Sequence, residues 1–180
     1  MSKKALSILL ATAGLAAAAT SAHAADGTIT ITGEITGQTC TISGNSSGKD
    51  FTVTLPGVST SALSASGSTA GRTPFTIGLS KCTPNSGSAS VYFEPGTTVN
   101  AGTGQLKNAS GTATNVEVGL LNKDGSNIKL GAALGSQKSQ VVPISGGTAT
   151  LDYFAQYVAT GGAAGAGSVD TSVMYSVVYQ

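Results

Sequence analysis

Gly167-Ser-Val-Asp-Thr-Ser-Val-Met-Tyr-Ser-Val-Val-Tyr-Gln180 is the stretch whose reading decides the fold. Its odd positions are Gly167, Val169, Thr171, Val173, Tyr175, Val177 and Tyr179, so one face is largely apolar. Successive side chains leave a β-strand on opposite faces, and a period of two therefore marks a strand with one buried side. The alternation predicts the longest and cleanest strand of the chain, running from Gly167 to Tyr179.

Upstream, the same period recurs in short segments separated by turn residues. Leu151, Tyr153, Ala155 and Tyr157 alternate until Gly161-Gly162. Val116, Val118 and Leu120 lead to Asp124-Gly125, with Ile128 and Leu130 as a small hairpin partner. Val91 and Phe93 close at Pro95-Gly96, Phe75, Ile77 and Leu79 run up to Cys82, and Phe51, Val53 and Leu55 stop at Pro56. Ile29, Ile31, Gly33 and Ile35 open the series. No helical period emerges apart from a turn near Ser61 to Ala65. Many short alternating strands with Gly/Ser/Asn/Asp punctuation predict an all-β, two-layer sandwich of the immunoglobulin kind. The chain has no tryptophan, so the prediction covers the broad sandwich and not the antibody variety.

The N-terminus predicts export. Lys3 and Lys4 precede an apolar run from Ala5 to Ala19, and Ala22-His23-Ala24 supplies the small-x-small cleavage pattern. The run is short for a permanent membrane span. Residues 1–24 are therefore predicted as a signal peptide, with Ala25–Gln180 as the mature, single-domain chain. Cleavage removes two of the nine basic residues and leaves a nearly neutral, sparsely charged protein. With no basic patch, phosphate backbones have nothing to bind, and nucleic acid is not an expected partner. The only histidine, His23, leaves with the signal peptide. Acid–base catalysis, a hydrolase triad and a metal centre then lack their usual residues, so neither an enzyme nor a cofactor is expected. Cys40 and Cys82 predict one disulfide in an oxidising compartment. It would tie the start of the first core strand to the end of the second. Closing a loop of about 40 residues is worth roughly 4 kcal/mol in the chain-entropy model.

Both ends of the mature chain carry apolar strand faces. Thr28 to Ile35 is patterned as a strand but precedes Cys40, where the core begins, and the best strand runs to the final residue. An uncovered edge of that length invites another chain. One reading is that the N-terminal strand of each copy completes the sheet of the next, a head-to-tail contact that builds a fibre. In the other, both ends pair within one chain and close an ordinary sandwich. Under that reading Ile29 and Ile31 are core residues and Gly33 marks a bulge.

A set of motifs resembles the major pilins of the type 1 fimbrial family, which a periplasmic chaperone and an outer-membrane usher assemble. Asp26-Gly27-Thr28-Ile29-Thr30-Ile31-Thr32-Gly33-Glu34-Ile35 resembles the family's donor strand. The stretch from Phe51 to Thr60 with Leu63, Phe75 to Cys82, and Tyr153 to Gly162 are similar to its successive core segments. Gly167 with the penultimate Tyr179 matches its chaperone-recognition strand. Together the motifs span nearly the whole mature chain.

The resemblance implies a sandwich of six main strands lacking its seventh, with residues 25–36 as a donor extension and 37–180 as the pilin domain. It implies that Ile29, Ile31 and Ile35 fill successive groove pockets, while Gly33 lies where the groove is too shallow for a side chain. Gly167, Val169, Thr171, Val173, Tyr175, Val177 and Tyr179 would form one groove wall, and the carboxylate of Gln180 would anchor in the chaperone. The implied partners are further copies of the chain, the chaperone, the usher and neighbouring minor pilins or a tip adhesin, at the cell surface. Competing roles are a minor or adaptor subunit of the same system and a free carbohydrate-binding module. The scarcity of aromatic residues in the loops weighs against the module.

Overall fold

The computed structural model describes Thr30, Thr32, Gly33, Ile35 and residues 37–180. Ile29 and Ile31 lie outside the described residues. The chain divides into two units, Met1–Glu34 and Ile35–Gln180, and the second carries all the strands described below.

Among the described residues, nine strands make two antiparallel sheets. In chain order they are β1 (Thr39–Gly44), β2 (Thr69–Thr83), β3 (Gly87–Phe93), β4 (Val99–Asn100), β5 (Gln105–Lys107), β6 (Val116–Asn122), β7 (Val141–Ile144), β8 (Ala149–Ala159) and β9 (Tyr175–Tyr179). The larger sheet runs β1-β2-β8-β6-β5-β4 and the smaller β7-β3-β9, so β1 and β9 are both edge strands. Alternation decides which side chains fill the space between the sheets. Phe75, Ile77 and Leu79 of β2, Leu151, Tyr153 and Ala155 of β8, and Val91 and Phe93 of β3 are all buried in one core. Phe75 stacks on Tyr153 at 5.5 Å between ring centroids, and Phe93 meets Tyr153 edge-on at 5.6 Å. Such pairs add about 0.5–1.5 kcal/mol beyond their burial.

Cys40 in β1 and Cys82 at the end of β2 form a disulfide, joining two strands that already pair. The turn near Ser61 is a single 3-10 turn, Thr60–Leu63, capped by Ser59, whose hydroxyl accepts from the Ser61 amide.

Several expected elements differ. The longest strand is β2, with 15 residues, and the C-terminal ladder is confined to Tyr175–Tyr179. Its partner runs out: β3 ends at Phe93, the last rung is Glu94 N–H to the Met174 carbonyl at 2.8 Å, and the chain then turns, with the Gly96 carbonyl accepting from Val99 N–H at 3.1 Å. Phe51, Val53 and Leu55 alternate half-buried with exposed Thr52 and Thr54, and pack on the core, but join no ladder. Ile128 and Leu130 are fully buried without forming a strand, and Ile128 N–H bonds the Leu120 carbonyl at 2.9 Å. Val141–Ile144 does pair, as an edge strand bearing Pro143. Proline is tolerated there because its missing N–H faces away from the ladder.

β6 is buried along its whole length, and Asn100 and Thr103 reach over its outer side at Glu117. The buried Glu117 carboxylate accepts from Asn100 Nδ2 at 2.7 Å and from Thr103 Oγ1 at 2.6 Å, which satisfies it.

Candidate strand-accepting groove

The last segment of the chain uses its backbone on one side only. Ser168, Asp170, Ser172 and Met174 bond in turn to Ala113, Ala109, Thr98 and Glu94. The Ser168 carbonyl accepts from Ala113 N–H at 3.0 Å and that of Asp170 from Ala109 N–H at 2.9 Å. The Ser172 carbonyl accepts from Thr98 Oγ1 at 2.6 Å. Ser176, Val178 and Gln180 continue the parity against Tyr92, Ser90 and Ser88 of the β3 side, closing with reciprocal Ser88–Gln180 bonds of 2.9 Å. In an antiparallel ladder, residues that bond to one neighbour alternate with residues whose N–H and C=O face the other way. Val169, Thr171, Val173, Tyr175, Val177 and Tyr179 are therefore the outward-bonding set. No strand lies beyond β9 among the described residues.

The side chains of this set point toward the core and stop half-way. Val169, Val173, Tyr175, Val177 and Tyr179 pack against the central cluster but remain half-buried. Inward residues of β2, β3 and β8, which have neighbours on both edges, are fully buried. The difference is the missing neighbour.

Residues 49–58 form the facing wall. Tyr175 donates its hydroxyl to the Lys49 carbonyl at 2.7 Å, and its ring meets Phe51 edge-on at 6.3 Å between centroids. At the other end, Gly57 and Val58 face Gly167 and Val169 across a cavity of about 170 Å³, also lined by Leu63, Val116 and Ala164. The wall thus runs antiparallel to 167–175. Nearer the C-terminus Tyr179 packs half-buried on the same core. Tyr175 therefore crosses the groove floor where backbone pairing is absent. Burial pushes both phenols up from their usual range, with the Asp50 carboxylate adding to the effect at Tyr175.

Gly167 sits where the chain turns into the groove wall. A Cβ there would collide with the backbone of Thr112 and Ala113, so only glycine permits this approach. Gly33 is exposed, and Ile35 stands fully in solvent with no apolar contact. Alternation marks Val116 as an inward residue, but nothing local shows that it lines a cavity with Val58, Leu63 and Ala164, because they converge only when three separate segments cross. A larger, open depression of about 510 Å³ is lined by Asn122, Lys123, Asp124, Ser126, Lys138 and Gln140. Its polar groups are largely spent on each other: Asn122 Nδ2 donates to Ser126 Oγ at 2.9 Å and to the Lys138 carbonyl at 2.7 Å. Among the described residues no group of His, Cys, Asp or Glu could hold a metal ion, and no helix is long and apolar enough to cross a membrane.

Fold and groove together define a two-sheet β-sandwich whose C-terminal edge strand, β9, lies unpaired over a half-buried apolar floor among the described residues. The chain belongs to the FimA family, type-1 fimbrial protein A, whose model matches residues 55–180. It is 47% identical over 171 residues to the major fimbrial subunit SMF-1 of Stenotrophomonas maltophilia, covering 92% of this chain and 99% of that one. It is 34% identical to the type-1 fimbrial protein A chain of Escherichia coli K12, covering 96% and 92%. Among solved structures, a type I fimbria protein of Burkholderia pseudomallei superimposes with TM-score 0.57 at 26% identity, covering 79% of this chain and 97% of that one. The P pilus rod subunit PapA shares the fold, with TM-score 0.60 at 20% identity, covering 78% and 99%.

Proposed function

We propose that this chain is a non-catalytic structural subunit of a surface fimbria, polymerising head-to-tail by strand donation. The observation that carries the reading is the parity of residues 168–180, whose even members bond inward while the odd members keep a free edge over a half-buried apolar floor. The N-terminal segment 25–36 of the next copy is the occupant, with Ile29, Ile31 and Ile35 entering the floor. Each isoleucine buried there contributes about 1.5–3 kcal/mol. Donor and acceptor are different surfaces, so the contact does not close and extends as a fibre. Before assembly, a periplasmic chaperone covers the same edge and anchors the carboxylate of Gln180, and an outer-membrane usher passes the subunit to the cell surface. Residues 1–24 act as the export signal. The relatives named major fimbrial subunits favour a shaft role over an adaptor one.

The test uses the full mature chain carrying Ile31→Asp, which disables its own donor face. Alone it remains non-fibrous by electron microscopy, and a synthetic peptide of residues 25–36 binds it and raises its melting midpoint by more than ten degrees. A chain whose midpoint is indifferent to the peptide closes its own sandwich, and the fibre reading then fails.

A further inference from the structure

Within the strand-accepting reading, on which this rests, one groove residue is out of keeping with its neighbours. Of the six inward positions from Val169 to Tyr179, five carry a valine or tyrosine packed on the core, while Thr171 alone is a threonine, set between two valines. Its Oγ1 is buried and has no hydrogen-bond partner among the described residues. Burying a hydroxyl without a partner is unfavourable, and folded proteins rarely leave one so. The position is also held firmly, since Asp170 and Ser172 on either side are tied to Ala109 and Thr98.

We propose that Thr171 is a specificity-determining residue, whose hydroxyl is completed by the backbone of the inserted strand at Gly33. A side chain on the inserted strand would fill the space between the hydroxyl and that backbone. Gly33 is the one position between Ile29 and Ile35 on the apolar face without a Cβ. Placing Gly33 at Thr171 fixes the register in either strand direction, because Ile31 and Ile35 then fall on the flanking valines, Val169 and Val173. Apolar residues meet apolar residues, and the single polar contact is made by backbone. A strand slipped by one pair puts an isoleucine on the hydroxyl and leaves it unpartnered, which penalises wrong registers and foreign strands.

The test measures binding of the fluorescent 25–36 peptide to the full mature Ile31→Asp chain, together with the melting midpoint of that chain without peptide. Thr171→Val keeps the shape and deletes the hydroxyl. The expected result is a split: peptide affinity falls by roughly 2- to 12-fold, the worth of one net hydrogen bond, while the empty chain melts no lower than its parent. Thr171→Ser, which keeps the hydroxyl, retains affinity. A peptide carrying Gly33→Ala binds the parent several-fold more weakly, and the deficit shrinks on Thr171→Ala, where space has been returned. Unchanged affinity with Thr171→Val, or a parallel fall in affinity and empty-chain midpoint, assigns the residue to packing and overturns the proposal. A Gly33→Ala deficit identical on both chains overturns the register. If the parent chain binds no peptide at all, the strand-accepting reading fails and this inference with it.

Discussion

Tyr175 shows how a single residue in this groove serves two structural demands. Its ring belongs to the apolar floor beside Phe51, and its hydroxyl bonds the Lys49 carbonyl across the gap. Tyr175→Phe keeps the ring and removes the strut. It is expected to cost the empty chain about 1 kcal/mol and to speed amide exchange in residues 49–55, measured by mass spectrometry. Tyr153 makes a different point. It is fully buried, its hydroxyl lies 3.1 Å from Ser139 Oγ, and burial pushes its phenol up to about 12. A folded-state value above the unfolded one, near 10, means the folded chain holds this proton where the unfolded chain releases it. The stabilisation is complete below pH 10 and is lost as the pH rises toward 12, roughly 3 kcal/mol in all. Denaturant melts between pH 9 and 12 should show this fall, and Tyr153→Phe should flatten it. Both tyrosines were legible as inward residues of alternating strands. Neither hydroxyl's partner was, because Lys49 and Ser139 reach them across the fold.

At the scale of elements, the chain balances well-paired central strands against edge strands, β1 and β9 among them. β2 and β8 pair from Thr69 with Val158 to Leu79 with Ala149 and form the centre of the large sheet. β1 joins the same sheet only at its rim and is fastened by the Cys40–Cys82 bond. Cys40→Ser with Cys82→Ser should lower stability by about 4 kcal/mol in the chain-entropy model, read from urea midpoints. The groove wall invites a test of backbone parity. Val177 turns its N–H to the free edge, whereas Val178 pairs with Ser90 in the ladder. Val177→Pro should leave the strand signal in circular dichroism intact and abolish binding of the 25–36 peptide. Val178→Pro should unfold the small sheet, since it deletes a ladder bond. The sequence reading extended this strand to Gly167, and the alternation does continue that far. What halts the ladder is the turn at Gly96 beyond the neighbouring strand, a feature of the partner and not of the strand itself.

For the molecule as a whole, the consequence is a fold that is stable in proportion to what fills it. Apolar residues along the floor, from Val169 to Tyr179 and from Phe51 to Leu55, are held at half burial. A donated strand converts that exposed area into core, and the gain scales with the area covered. Strand-linked copies should therefore resist heat and denaturant far better than the single chain. Differential scanning calorimetry of fibres against Ile31→Asp monomers would show the gap, and its absence would mean that the groove contributes little when filled. The contact is apolar and backbone-mediated, and the chain carries few charges. Fibre stability should accordingly change little between low and physiological salt.

Alternation by itself determined the sandwich class, the inward sets of β2, β3, β6 and β8, and the face that the last segment turns to the core. A period of two fixes which side a residue takes once it lies in a strand. The two cysteines likewise announced their bond. Only the tertiary structure decided where ladders begin and end, that Phe51 to Leu55 packs without pairing, and that Gly167 must be glycine because Thr112 and Ala113 pass against it. It also decided that Val58, Leu63, Val116 and Ala164 enclose one cavity at the groove's end. Strand pairing, close approach and cavity walls are relations between segments distant in sequence. No local pattern encodes them, since each depends on what the rest of the chain brings alongside.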